Sequence, residues 1–173
     1  MDDFIEEKQI GEGAYSHVLK VTRKADNQVY ALKKVNIAQM NAKDRENAIN
    51  EVRILASITH PNIVSYREAF VDAQSQMLCI VMTFADNGDL LQMIQERKTL
   101  QVYFKEKQVW RVLIECVHGL KSMHDISVMH RDIKCANIFL FKVIESTSKD
   151  LFMAKLGDMN VSKVTGPQGL NYT

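Results

Sequence analysis

The sequence predicts an α+β chain built as two lobes: a mostly antiparallel sheet carrying one helix, then a mainly helical region. Three observations predict it. Short strand-like runs separated by turn residues fill the first third, a strong helical period dominates residues 105–124, and Asn87-Gly88 breaks the chain between the two.

Taken in order, residues 4–10, 18–22 and 29–35 read as strands. A glycine-containing turn separates the first two, and Asp26-Asn27 separates the second from the third. A helix is expected over 43–57, where Ile49, Val52 and Leu55-Ala56 recur at three-residue steps. Strands are expected at 63–69 and 77–82, then a short helix at 89–96. Within 105–124, Val109, Val112, Leu113, Cys116, Leu120 and Met123 form an apolar stripe that needs a partner to bury it. Apolar runs return at 137–141 and 152–156 around a polar segment at 145–150, and the tail after Val164 is polar. The expected division is a first lobe over 1–82, a linker over 83–88 and a second lobe over 89–173.

Composition is that of a globular protein, 46% apolar and 25% charged, with a formal charge of +1. Nothing global therefore argues for nucleic acid or a membrane surface, although local patches survive a neutral sum. The run 77–82 falls far short of the roughly 20 apolar residues that span a bilayer. Met1-Asp2-Asp3 is acidic where a secretory signal would be basic. Cys79, Cys116 and Cys135 are odd in number and widely spaced among apolar neighbours, which reads as reduced thiols of a cytoplasmic protein.

Four segments carry chemistry. Gly11-Glu12-Gly13-Ala14-Tyr15-Ser16, followed by Val18, lies between two strands and lets backbone N–H groups approach a phosphate. A turn that needs positive φ explains the two glycines equally well. Ala31-Leu32-Lys33 places a cation in an apolar strand, where it needs a carboxylate partner, and Glu51 on the following helix offers one. Two solvated surface charges remain the alternative. His130-Arg131-Asp132-Ile133-Lys134-Cys135-Ala136-Asn137 packs a carboxylate, a cation and a carboxamide into one loop. Such an aspartate can orient a hydroxyl and accept its proton, such a lysine can offset charge on a transferred group, and the asparagine oxygen can ligate a hard cation. Leu156-Gly157-Asp158-Met159-Asn160 adds a second carboxylate suited to a magnesium ion on phosphates.

In that order the segments resemble the protein-kinase catalytic domain across essentially the whole chain. Finer likenesses to the NIMA-related (Nek) kinases lie in His60-Pro61-Asn62-Ile63-Val64, in Tyr66-Arg67-Glu68-Ala69-Phe70 and in Cys135-Ala136-Asn137-Ile138-Phe139-Leu140. The resemblance implies an N-lobe sheet with one helix and a mainly helical C-lobe that the chain leaves incomplete. It also implies Mg²⁺- or Mn²⁺-dependent transfer from ATP to Ser or Thr of protein substrates. Lys134, two residues after Asp132, is the serine/threonine-type mark.

By the same resemblance Lys33 would hold the α- and β-phosphates with Glu51 as its partner, Asp132 would be the base and Lys134 its charge partner, and Asn137 and Asp158 would hold the metal. Gly11 and Gly13 would cover the phosphates. Val18, Ala31 and Phe139 would sandwich the adenine, Met82 would stand beside it, Thr83, Phe84 and Ala85 would form the hinge, and Asp89 would meet the ribose. Leu55, Tyr66, His130 and Met159 would form a second apolar stack. The chain departs from the pattern at Ser16 in place of the third loop glycine, at Met159-Asn160 in place of Phe-Gly, and in a longer Asn137-to-Asp158 interval. A regulatory protein or upstream kinase is expected, with Ser162, Thr165, Tyr172 and above all Thr173 as candidate phosphate acceptors. A scaffolding pseudokinase and an inactive fragment are the competing readings.

Overall fold

The computed structural model describes residues 3–13, 16–38, 40–72, 75–143, 151–158 and 163–164. The side chains of Glu51, Ile54, Leu55, Lys163 and Val164 lie outside that description. The chain divides into two compact units, Met1–Ser57 with Ser65–Phe84, and Ile58–Val64 with Ala85–Thr173.

The first unit is a five-stranded antiparallel sheet in the order β1-β2-β3-β5-β4. Its strands are β1 (Phe4–Gly13), β2 (Ser16–Arg23), β3 (Val29–Asn36), β4 (Tyr66–Asp72) and β5 (Met77–Thr83). Alternation along β3 assigns its two faces. Tyr30 and Leu32 bury with Phe4, Leu19, Val21, Cys79 and Val81 on one side. Val35 buries on the other with Leu78 and Ile80, against Ala48 and Val52 of helix α1 (Ala42–Ser57). Asn41 starts that helix: its Oδ1 accepts the Asp44 N–H at 2.9 Å, satisfying one of the free donors of the first turn. The β2–β3 turn is held by Asp26, which takes hydrogen bonds from Arg23 and, at 2.8 Å, from the Tyr30 hydroxyl. Asn27 there has φ 54°, a left-handed conformation that asparagine tolerates.

The second unit centres on a two-stranded pair, β7 (Ile138–Lys142) and β8 (Phe152–Leu156). Ile138, Leu140, Phe152, Ala154 and Leu156 bury with Met93 of α2 (Leu90–Thr99). Val112, Cys116 and Leu120 of α3 (Glu106–Asp125) pack on the same cluster. β6 (Val128–Met129) pairs with β9 (Lys163–Val164), and a 3₁₀ turn at Cys135–Asn137 precedes β7.

Two expectations change. The sequence predicts a strand over 63–69 within a first lobe of 1–82, yet Ile58–Val64 belongs to the second unit and β4 starts at Tyr66. The cause is hydrogen bonding: the Leu156 N–H donates to Asn62 O at 2.9 Å and the Val64 N–H to Leu156 O at 2.8 Å. The helical stripe also splits. Val112, Cys116, Leu120 and Met123 turn inward, whereas Val109 and Leu113 lie with Trp110, Ile114 and Val117 on a face about half exposed. Gly119 fixes that rotation: a Cβ there would stand 2.8 Å from the Asn62 carbonyl oxygen and 3.1 Å from a Leu156 methyl. Only a residue without a side chain lets α3 approach this closely. Among the described residues no helix is long and apolar enough to cross a membrane.

Candidate active site

In the first unit the expected nucleotide residues share one sheet face. Register sets Val18 beside Lys33 across β2–β3, Gly11 beside Val18 across β1–β2, and Ala31 beside Met82 across β3–β5. Residues opposite one another in an antiparallel pair point to the same side. Gly11, Val18, Ala31, Lys33 and Met82 therefore lie together, on the face that also carries α1. Gly13 pairs with Ser16 at the turn end of the hairpin, and a Cβ on Gly13 would meet Ser16 Oγ at 3.0 Å. Lys33 is only 7% exposed, a burial that a cation tolerates when it is paired. Its expected partner side chain, Glu51, lies outside the described residues. Thr83 commits its N–H to Ser65 O at 3.0 Å, so an adenine edge could meet its carbonyl but not its amide.

In the second unit Asp89 and Phe139 face each other in an antiparallel bridge. Main-chain bonds from Asn87 N–H to Leu140 O and from Leu140 N–H to Gly88 O lay this segment along β7. Gly88 has φ 72°, which glycine adopts without strain. Asp89 carries a duty that sequence reasoning missed. It is the N-cap of α2, with Oδ1 accepting the Gln92 N–H at 2.9 Å. One carboxylate oxygen is thereby spent, leaving the other for a ribose hydroxyl. Ala85 O closes the same turn, accepting the Gly88 N–H at 3.4 Å.

The loop from His130 to Asn137 brings its polar groups to one point. Asp132 Oδ2 accepts from Lys134 Nζ at 2.8 Å and from Asn137 Nδ2 at 2.9 Å. The same Asn137 amide also donates to the Asp132 carbonyl at 2.9 Å. The Lys134 hydrogen bond holds the Asp132 carboxyl below its ordinary range, with Asn137 adding to the effect, and Asp132 raises Lys134 in return. Arg131, at φ 63°, takes the left-handed conformation within this loop.

His130 joins the loop to the strand that ends at Asp158. Its imidazole is 1% exposed. The Asp132 N–H donates to Nδ1 at 3.4 Å, and Nε2 lies 3.0 Å from the Gly157 carbonyl oxygen. A main-chain amide can only donate and a carbonyl can only accept, so the two contacts select the neutral ring protonated on Nε2. Burial works in the same direction, holding His130 below its ordinary value. The Gly157 N–H donates to Asn137 O at 3.0 Å, so strand and loop are tied twice. A Cβ on Gly157 would come within 2.7 Å of the Phe139 ring. Asp158 follows at φ 54°.

Oxygen chemistry suits this corner to a hard cation. With its amide nitrogen turned to Asp132, Asn137 presents its carboxamide oxygen elsewhere, and Asp158 supplies a carboxylate. Among the described residues no group of three or more His, Cys, Asp or Glu could hold a metal by itself. Magnesium takes one or two protein oxygens and fills its octahedron with water and phosphate, so Asn137 and Asp158 would suffice to hold it. Met159, Asn160, Ser162, Thr165, Tyr172 and Thr173 lie outside the described residues.

Sequence reasoning missed Asn62, Glu115 and Gly119, which position the strand before Asp158. Asn62 Nδ2 donates to Ala154 O at 3.1 Å, and Glu115 Oε2 accepts the Ala154 N–H at 2.6 Å. A polar pair 53 positions apart (62 to 115) leaves no local pattern in the chain; only the buried-face position of Glu115 on α3 could have flagged it.

Known proteins place the chain. The family described as Protein kinase domain matches residues 4–172. Serine/threonine-protein kinase Nek1 of Mus musculus is 35% identical over 95% of this chain and 13% of its own length. Nek5 of Mus musculus is 37% identical over 94% of the chain and 24% of its own length. A probable serine/threonine-protein kinase nek2 of Dictyostelium discoideum is 34% identical over 90% of the chain and 36% of its own length. The chain thus spans well under half of each of these relatives. With a match over nearly all its residues and Nek serine/threonine kinases among its relatives, the chain belongs to the protein kinase domain family.

Proposed function

We propose that the chain supplies the nucleotide-binding and catalytic groups of a serine/threonine protein kinase, which transfers the γ-phosphoryl group of ATP to hydroxyls of protein substrates. The observation that carries this reading is the Asp132 carboxylate held between Lys134 and Asn137. Its other oxygen, Oδ1, is the atom that would orient an acceptor hydroxyl and take its proton. Asp132 is ionised at neutral pH, and Lys134 holds it further below its ordinary value, so the carboxylate is free of its proton and able to accept one. Lys134 sits where it could also offset negative charge on the transferred group. Asn137 Oδ1 and the Asp158 carboxylate would hold Mg²⁺ or Mn²⁺, which when bound neutralises charge on the phosphates. Lys33, on the face with Gly11, Val18, Ala31 and Met82, would grip phosphate oxygens as a point charge, with Glu51 as its partner.

Protein substrates, a cytoplasmic location and activation by an upstream kinase or regulatory protein belong to the same reading. Its support is the motif order in the chain and the names of its relatives. Incubating the protein with radiolabelled ATP, a mixed Ser/Thr/Tyr peptide library and Mg²⁺ tests it. Label on serine or threonine, lost when the cation is chelated, is expected. Label on tyrosine alone, or none at any concentration of nucleotide and cation, overturns it.

A further inference from the structure

Among the described residues no named strand runs along the outer edge of β8, yet most of the main-chain groups on that edge have partners. Phe152, Ala154 and Leu156 turn their main-chain groups away from β7. Leu156 is met by the main chain of Asn62 and Val64, and Ala154 O by the Asn62 side chain. On the α3 side, Arg111 approaches Phe152 O at 3.5 Å, and Glu115 Oε2 accepts the Ala154 N–H at 2.6 Å. Ala154 is fully buried, so its N–H has no water to turn to. Glu115 is a charged residue on the packing side of a helix, a placement that needs a specific reason.

We infer that Glu115 is a positioning residue for Asp158: by accepting the Ala154 N–H it fixes the strand whose end presents the metal carboxylate. The inference rests on the kinase reading given above, because it concerns the cation that Asp158 would hold. Three residues lie between Ala154 and Asp158, and two of them are bound beyond the β7–β8 pair: Leu156 to Asn62 and Val64, Gly157 to Asn137 and His130. Strand position at Ala154 is therefore passed to Asp158 through a segment with little slack. A carboxylate here makes a charge-assisted hydrogen bond, stronger than one to a neutral acceptor. Burial raises the Glu115 carboxyl above its ordinary range, while the Ala154 N–H bond itself, and beyond it Arg111 and His118, act to keep it ionised.

The test is Mn²⁺ binding in the presence of an ATP analogue, followed by electron paramagnetic resonance, with amide exchange of residues 152–158 recorded on the same samples. Wild type is compared with Glu115→Gln, Glu115→Leu, Glu115→Ala and Asp158→Ala. Partners that orient a metal ligand typically contribute about 10–100-fold in metal affinity, and the indirect path here places the Leu and Ala variants near about 10-fold weaker. Glu115→Gln retains a carbonyl acceptor and is expected to keep most of the affinity, a rescue that simple filling of space by leucine would not give. Faster exchange at 152–158 should accompany the loss. Unchanged Mn²⁺ affinity in the Leu and Ala variants, with Asp158→Ala weakened, overturns this inference alone. Equal loss in Gln, Leu and Ala also overturns it. Full affinity in Asp158→Ala overturns the metal assignment, and the inference with it.

Discussion

Replacing His130 by alanine tests the link between the catalytic loop and the strand that ends at Asp158. The imidazole is 1% exposed and makes two contacts, to the Asp132 N–H and to the Gly157 carbonyl. Alanine leaves the buried Gly157 oxygen with no donor, at about 1–3 kcal/mol for an orphaned polar group, and opens a cavity besides. A loss of about 2–4 kcal/mol is expected, a large share of the roughly 5–15 kcal/mol that holds a domain folded. The wild type should also carry an acid-sensitive component that the variant lacks. The folded value of His130 lies below its ordinary 6.5, so the unfolded chain binds a proton that the folded chain refuses. Stability from this source is complete above pH 6.5 and declines as pH falls from there towards the folded value. Asp132 acts in a separate window: its contribution is present above its ordinary 3.8 and is lost as pH falls through its lower folded value. Urea unfolding at pH about 7.5, 6.5 and 5.5, either side of the ordinary histidine value, separates the two. Circular dichroism and the single tryptophan, Trp110 on α3, report the unfolding. An alanine variant as stable as wild type at the highest pH, or with the same dependence on pH across the series, would refute the reasoning.

Three further outcomes follow from the geometry. Gly119→Val forces side-chain atoms into the Asn62 carbonyl oxygen, a main-chain atom that cannot swing aside; overpacking of this kind costs about 1–3 kcal/mol, and a midpoint at or above wild type would contradict it. Asp89→Ala removes the N-cap of α2 and should cost about 0.5–2 kcal/mol, whereas Asp89→Asn, which keeps an acceptor, should cost little; equal effects would show the cap to be idle. Cys116, pushed up to about 11 by burial, should resist a thiolate-selective alkylating reagent at pH of about 8, and rapid labelling there, located by peptide mapping, would contradict its placement.

The chain's pattern reveals its elements better than its seams. Lys33 is the legible exception in β3: both faces of this strand carry buried apolar residues, and a cation set among them stands out in the sequence. The loop from His130 to Asn137 is legible for a different reason: its groups bond within a few residues, so spacing alone brings them together. Ile58–Val64 is not legible, because what recruits it is the distant edge of β8. The α3 stripe is half legible. Leucine, valine and cysteine at helical spacing mark an apolar surface, but its rotation is set by Gly119, whose contact with Asn62 has no signature in sequence. Asp89 shows a third kind of gap, since one carboxylate can cap a helix and still be read from its motif as a ligand.

The central claim is that Asp132 orients and deprotonates the acceptor hydroxyl while other groups hold the nucleotide. Turnover and ATP-analogue affinity of Asp132→Asn against wild type, measured in parallel on a Ser/Thr peptide, test it most directly. Turnover should fall by about 10²–10⁴-fold, the range for a positioned general base, with analogue affinity nearly unchanged. Undiminished turnover, or a loss confined to nucleotide affinity, would contradict it.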